Sequence, residues 1–375
     1  MCCFNTYTCV LSCLVLSCLL YLRICVHTSC ILMYSLHVQH LFIGSEGTLG
    51  VVTKIALKLY PLPSYTVVAI AKLPSFTEVS KLLRSARGAL GETLSAFEYM
   101  DRKSITALED QYPHMVEKFS NSLFRNYSLV DKNGEDNAFV LLEASGSDSS
   151  LTDRVNQFLS TQLEANIVLD AVLAQDGQQE AELWKIREFI PVALAQMSRN
   201  TTVSGPFLFK YDISLPWLET ERLVTAVEEY MSGQCGHAII GFGVGVDTHS
   251  SRQYLQEFKS SVDYVVCTYC YGHAGDQNLH LNVILRLQED ISDNRKRQIK
   301  QSVKTDLEHA VLTETMKLNG SISAEHGMGQ QKSHLLHQAR NGAEVQMMKL
   351  IKTSLDPKCI LNPGKVIPFP GTSCK

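Results

Sequence analysis

The residues best placed to do chemistry lie in two short stretches. Tyr271–Val283, YGHAGDQNLHLNV, carries His273 and His280 on either side of a small-residue turn, Gly272 to Gly275. From Asn278 onward the pattern alternates. Asn278, His280 and Asn282 share one side, while Leu279, Leu281 and Val283 share the other, as a half-buried strand requires. Buried polar side chains need partners, so this face is expected to look into a pocket. The second stretch, SAEHGMG from Ser323 to Gly329, sets Glu325 beside His326 in a glycine-bracketed loop. Two neutral imidazoles and one carboxylate form a ligand set for a catalytic divalent ion such as zinc. His273, His280 and Glu325 are the candidate ligands, which leaves His326 as an acid or base. The competing reading keeps the histidines as hydrogen-bonded core residues, because a single H-x6-H spacing is a weak signal.

Two further stretches could serve a ligand. In FLFKYDISL, Phe207 to Leu215, alternation puts Lys210, Asp212 and Ser214 on one face. Lys210 there either holds a substrate carboxylate or makes a salt bridge with Asp212. The loop Gly44-Ser45-Glu46-Gly47-Thr48 gives a backbone that can approach an anionic or planar ligand closely; it reads equally as a hairpin turn. Cys267-x-x-Cys270 has redox or metal spacing but lies in a strand-like run without a second such pair, and reads as incidental.

Composition narrows the field. The net charge of −4 and the lack of a basic block argue against binding nucleic acid. Seven of the twelve cysteines fall within the first thirty residues. Their sparse use in the rest of the chain suits a reducing compartment rather than a disulfide framework. No P-loop, GxSxG or nucleotide GxGxxG occurs. With 375 residues the chain is long enough for two or three domains.

The elements that must position these residues read as α+β. Strands are expected at VVAIAKL from Val67, at Leu94–Tyr99, at AFVLLEAS from Ala138 and at IVLDAVLA from Ile167. Helices are expected at Phe76–Leu90, Asp101–Glu109, Leu151–Leu163 and Gln178–Gln196. This alternation predicts βαβ units of an α+β sandwich with helices on one face. Pro191, inside the longest of these helices, is expected to kink it. Pro216–Met231, Ile291–Leu318 and Gly342–Leu355 also read as helices. Two runs, HAIIGFG from His237 and YVVCTYCYG from Tyr264, compete to supply the strand entering the histidine motif; the weakly patterned segment 244–262 between them reads as an insertion. Residues 1–40 read as a separate apolar, cysteine-rich leader. The run Cys9–Leu22 lacks a preceding positive charge and falls short of the roughly 20 apolar residues of a membrane span.

Four motifs, FIGSEGTLGVVTK, KYDISLP, YGHAGDQNLHLN with SAEHGMG, and DPKCILNPGK, stand in an order that resembles the FAD-linked oxidase family with the vanillyl-alcohol-oxidase fold. Within it the resemblance is to 2-hydroxy-acid dehydrogenases, D-2-hydroxyglutarate first and D-lactate as the alternative. The resemblance implies an α+β chain in four parts. Residues 1–40 are the leader, and 41–64 the end of an FAD-binding domain. Residues 65–300 would form a substrate or cap domain, an antiparallel sheet with helices, and 301–375 a C-terminal helical segment. Gly44, Ser45, Gly47, Thr48 and Asn362 would touch FAD. His273, His280 and Glu325 would bind a divalent metal, by analogy zinc. Arg187, Lys210 and Asn282 would hold the carboxylates of a 2-hydroxy diacid, and His326 would be the general base. An electron-transfer flavoprotein or similar acceptor, a homodimer and the mitochondrial matrix complete what the resemblance implies. Two departures stand out: Gln277 in place of a turn glycine, and Gly44 as the first glycine of the chain, which leaves the family's glycine-rich flavin cradle without a counterpart. A non-catalytic metal-binding or heteromeric module is the reading from a different class.

Overall fold

The computed structural model describes residues 38–55, 59–119, 137–199, 205–235 and 264–368. The leader up to residue 37, the run HAIIGFG and the expected insertion 244–262 lie outside the described residues. Two compact units are present: Leu62–Ser321, and the segments Met1–Pro61 and Ile322–Lys375 together.

The larger unit is built on a seven-stranded sheet in which every neighbouring pair is antiparallel. Its strands are β1 (Tyr65–Leu73), β2 (Leu94–Asp101), β3 (Ala138–Gly146), β4 (Asp170–Leu173), β5 (Phe207–Ser214), β6 (Tyr264–His273) and β7 (Asn278–Leu287), in the order β4-β1-β3-β2-β6-β7-β5. The helices are α1 (Phe76–Leu90), α2 (Arg102–Gln111), α3 (Pro113–Glu117), α4 (Leu151–Glu164), α5 (Gly177–Met197), α6 (Thr220–Cys235) and α7 (Asp293–Lys317). β3 inserts between β1 and β2, and β1 inserts between β3 and β4. The first four strands with α1 and α4 are therefore two interlocked split β-α-β units. The remaining three strands extend the sheet from the edge of β2.

Helices cover both faces of the sheet, not one as expected. β1 is buried at every position from Val67 to Leu73, and β3 at its first seven positions. Continuous runs such as VVAIA and FVLL carry no alternation because neither face meets water. On one face Val68, Ile70, Met100, Phe139 and Leu141 pack with Ile105 and Leu108 of α2 and with Leu183, Ile186 and Ile190 of α5. α1 and α4 pack on the other face, and α7 packs on α6 and β5. Both helices of the first face begin on a capping carboxylate that accepts an otherwise orphaned backbone N–H. Asp101 accepts from Ser104 at 2.7 Å, and Asp176 from Gln179 at 2.8 Å. α5 continues through Pro191 to Met197, with Ile190, Ala193 and Leu194 all buried around the proline.

Among its described residues, the smaller unit has little regular structure before its helices α8 (Leu336–Ala339) and α9 (Gly342–Leu355). Leu336, Val345, Val366 and Ile367 form its core. Among the described residues of the whole chain, no helix is long and apolar enough to cross a membrane.

Candidate active site

In the larger unit the histidine motif is the hairpin of β6 and β7. Tyr271 faces His280 across the ladder, and Tyr269 faces Asn282. The turn needs a glycine at its entry. A Cβ on Gly272 would lie 2.2 Å from the carbonyl oxygen of Asn278, closer than any side chain tolerates. At the exit Gln277 sits at φ 61°, in the left-handed region that the sequence departure from glycine had flagged. Arg87 of α1 clasps the turn by donating to the Gly275 carbonyl at 2.7 Å.

The hairpin delivers two imidazoles to one place. The rings of His273 and His280 lie edge to face, with centroids 5.2 Å apart. β2 pairs with β6 so that Glu98 stands opposite His273. The Glu98 carboxylate uses both oxygens: Oε1 lies 2.8 Å from His273 Nδ1, and Oε2 accepts from Arg187 Nε at 3.0 Å. The Arg187 guanidinium lies 4.8 Å from the centre of the Tyr271 ring, and that ring is 5.3 Å from His280. The five side chains close a circuit on one face of the sheet. Burial pushes the Glu98 carboxyl up, but the Arg187 guanidinium and the hydrogen-bonded His273 outweigh it and hold the group below the ordinary carboxylate range. An acceptor on Nδ1 fixes the proton there and leaves Nε2 as the basic nitrogen, the arrangement in which imidazoles bind metal ions. The His273–His280 pair therefore fits a divalent ion.

The sequence-predicted carboxylate anchors take different positions. Arg187 is buried and ion-paired to Glu98, with 8% and 7% of their side chains exposed. Lys210 pairs in register with Asn282 and is exposed. Asp212, two residues on, is buried, with Oδ1 4.0 Å from His280 Nδ1. Asn282 donates to the His280 carbonyl at 3.3 Å, and its Oδ1 is buried without a hydrogen-bond partner among the described residues. A buried orphan acceptor on the histidine face is where a ligand group has something to satisfy.

The smaller unit holds the remaining candidates. His326 Nε2 lies 3.5 Å from Glu325 Oε1, and the imidazole is 63% exposed. Their loop is pinned by Glu46, whose carboxylate accepts from the N–H groups of Met328 and Gly329 at 2.6 and 2.7 Å. The Glu46 carbonyl in turn accepts from the Asn362 amide at 2.5 Å. The Thr48 hydroxyl donates to the Ser45 carbonyl at 2.6 Å, so Thr48 and Asn362 are engaged in holding the loop itself. Gly47 leaves room for Asn362, whose Nδ2 would be 2.8 Å from an added Cβ. Gly44, at φ 78°, has open space around it. Ser45 is itself engaged, donating its N–H to the Phe42 carbonyl at 3.2 Å, so the open side of the loop lies at Gly44. The loop is also tied to the C-terminal segment. Buried Lys352 donates to the carbonyls of Thr48 and Leu361 at 2.7 and 2.8 Å and to the Asp356 carboxylate.

Sequence reasoning did not single out Glu98, nor the structural roles of Glu46 and Lys352. Glu98 had a local signal: it is the only charge inside the run SAFEYM, on the side of β2 opposite Phe97 and Tyr99. Cys267 and Cys270 are both free thiols and, three apart on β6, project to opposite faces, in keeping with an incidental spacing. Cys359 is disulfide-bonded.

Comparison with known proteins places the chain in a family. Residues 62–366 match the family described as FAD linked oxidases, C-terminal domain. The protein named "Probable D-2-hydroxyglutarate dehydrogenase, mitochondrial" from Oryza sativa subsp. japonica is 37% identical over 335 residues, which are 88% of this chain and 48% of the relative. The mitochondrial D-2-hydroxyglutarate dehydrogenase of Rattus norvegicus is 32% identical over 331 residues, 88% of this chain and 50% of that protein. The chain thus spans about half the length of the curated relatives it matches. Among solved structures, an alkyldihydroxyacetonephosphate synthase shares the fold with a TM-score of 0.51 at 13% identity, over 88% of this chain and 50% of that one. The chain belongs to the FAD-linked oxidases, whose C-terminal domain makes up most of its length.

Proposed function

We propose that this chain carries the substrate half of an FAD-dependent D-2-hydroxy-acid dehydrogenase, with D-2-hydroxyglutarate as substrate and 2-oxoglutarate as product. The observation that carries the reading is the His273–His280 pair, with the Nδ1 of His273 held by a buried carboxylate in contact with Arg187. His273, His280 and Glu325 hold a divalent ion, with zinc fitting two imidazoles and a carboxylate. Arg187, Lys210 and Asn282 bind the two carboxylates and set Cα in line for transfer. His326 takes the hydroxyl proton. Gly44, Ser45, Gly47, Thr48 and Asn362 belong to the wall of the flavin site, with Thr48 and Asn362 shaping the loop. When bound, FAD accepts the Cα hydride and the ion lowers the pKa of the substrate hydroxyl. A mitochondrial location and an electron-transfer flavoprotein as acceptor follow from the names of the relatives and the resemblance of the motifs.

The test is calorimetric titration of the purified chain with Zn²⁺, then with D-2-hydroxyglutarate and with D-lactate. Zn²⁺ uptake that His273→Ala and His280→Ala each abolish, with preference for the five-carbon diacid, is the expected outcome. Preference for D-lactate would overturn the roles of Arg187 and Lys210, and failure to take up Zn²⁺, Mn²⁺ or Co²⁺ would overturn the metal set.

A further inference from the structure

Glu98 is a buried carboxylate in the middle of a strand, and neither of its oxygens faces solvent for want of a partner. Oε1 engages His273 Nδ1 at 2.8 Å and Oε2 engages Arg187 Nε at 3.0 Å. The two partners come from different elements, β6 and α5, and Glu98 is the group that both share. The contacts continue from Arg187 to Tyr271 and from Tyr271 to His280, which closes on His273. In such a circuit the ring plane of His273 and the roll of the guanidinium cannot change independently. Moving the carboxylate to follow one partner lengthens its bond to the other. A hydrogen bond at Nδ1 sets both the tautomer of an imidazole and the direction of its Nε2 lone pair. Likewise, a bond at Nε of an arginine leaves its two Nη groups as the fork for another carboxylate.

We propose that Glu98 is the positioning residue of this site, orienting His273 toward a divalent ion and Arg187 toward a substrate carboxylate through its two oxygens. The inference rests on the metal and substrate reading above and adds to it a single residue on which both binding events depend. Acceptors that hold the second nitrogen of a metal-binding histidine typically matter 10- to 100-fold in metal affinity. Glu98 differs from a residue that merely stabilises the fold in that its loss shifts two affinities of the folded protein at once.

The experiment uses the full chain with Glu98→Gln, which keeps shape but removes the charge and one acceptor, and Glu98→Asp, which keeps the charge but cannot reach both partners. Zn²⁺ affinity is measured on the metal-free proteins by competition with a chromophoric chelator. Affinity for glutarate, a five-carbon dicarboxylate without the reacting hydroxyl, is measured by calorimetry at saturating Zn²⁺. Near-ultraviolet circular dichroism establishes that each variant is folded. The expected result is Zn²⁺ binding weakened about 10- to 100-fold and glutarate binding weakened about tenfold or more in the same variant. His273→Ala, by contrast, loses Zn²⁺ while keeping the Arg187 contact to Glu98. Should Glu98→Gln fail to fold, Glu98→Asp alone decides. A folded variant that binds both probes within threefold of the parent overturns the role of Glu98 while leaving the proposed function standing. A parent chain that takes up no Zn²⁺ overturns the metal reading and this inference with it.

Discussion

Replacing Lys352 with methionine should cost more than any surface substitution in the smaller unit. The ammonium is 1% exposed and its partner Asp356 is 4% exposed, so the ion pair is fully desolvated. Nζ is spent on three acceptors, the carbonyls of Thr48 and Leu361 and the Asp356 carboxylate. Asp356 also accepts the N–H groups of Ile360 and Leu361 at 3.1 and 2.9 Å. Methionine fills the volume but leaves a buried carboxylate and two carbonyls without their donor. Removing one member of a buried pair costs about 3–5 kcal/mol, and each orphaned carbonyl alone about 1–3 kcal/mol. These costs overlap because one donor served all three, so the expected loss is about 3–5 kcal/mol. The double variant Lys352→Met, Asp356→Asn removes the stranded charge. It should lie about 1–3 kcal/mol above the sum of the single losses, without reaching the parent, because the Thr48 and Leu361 carbonyls stay orphaned. Urea unfolding gives the global figure. Hydrogen exchange at the Ile360 and Leu361 amides gives the local one, accelerated by roughly two to three and a half orders of magnitude at tenfold per 1.4 kcal/mol. A loss below about 1 kcal/mol for Lys352→Met, or strict additivity in the double variant, would refute the reasoning.

Two further outcomes follow from geometry. Gly272→Ala places a methyl where the Asn278 carbonyl stands 2.2 Å away; the hairpin must open, and a stability loss of about 2 kcal/mol or more, read as a lowered urea midpoint, is expected, whereas an unchanged midpoint would contradict the register. Asp101 has its carboxyl pushed up to about 6 by burial, against the pull of its hydrogen bonds from Ser104 and Cys270. The folded state then holds this proton more tightly than the unfolded chain, so stability is highest below the ordinary value of 3.8 and falls as pH rises from there through about 6. At about 1.4 kcal/mol per pH unit between 3.8 and about 6, the fall amounts to about 3 kcal/mol. In Asp101→Asn that slope should flatten across the same window, and a slope that survives the substitution assigns it to another group.

The sequence made the elements legible wherever one segment contained the whole signal. Helices Phe76–Leu90 and Gly342–Leu355 begin and end where their apolar spacing and caps place them. The strand with Asn278, His280 and Asn282 keeps its polar face, because alternation within one strand needs no knowledge of its neighbours. The positive φ of Gln277 was flagged only by the resemblance, as a turn position where the family has glycine. What could not be read depends on pairing between distant segments. β6 lies beside β2, so Glu98 meets His273 from 175 residues away and Arg187 from 89. The second layer of helices was hidden likewise: an unbroken apolar run in β1 says that both faces are covered, but not by which helix.

The same distinction explains why certain motifs occur together. Read singly, GSEGT is a turn and SAEHGMG a loop with a carboxylate and an imidazole, while ILNPGK has no reading of its own. In the smaller unit they are parts of one construction. Glu46 supplies its carboxylate to the Met328 and Gly329 amides and its carbonyl to Asn362. Gly327, at φ 81°, must lack a side chain because a Cβ there would lie 2.6 Å from Glu46 Oε1. Val366 donates to the Gly329 carbonyl and completes the tie. KYDIS and YGHAGDQNLHLN stand in the same relation in the larger unit, as adjacent strands that bring Lys210 opposite Asn282 and Asp212 opposite His280. The motifs thus carry residues that hold one another in place beside the candidate site residues. Part of what reads in sequence as a functional signature is therefore the scaffold that fixes it. Glu46, Thr48 and Asn362 belong mainly to that scaffold. His273, His280 and Lys210 are the residues of these motifs proposed above to bind the ion and the substrate.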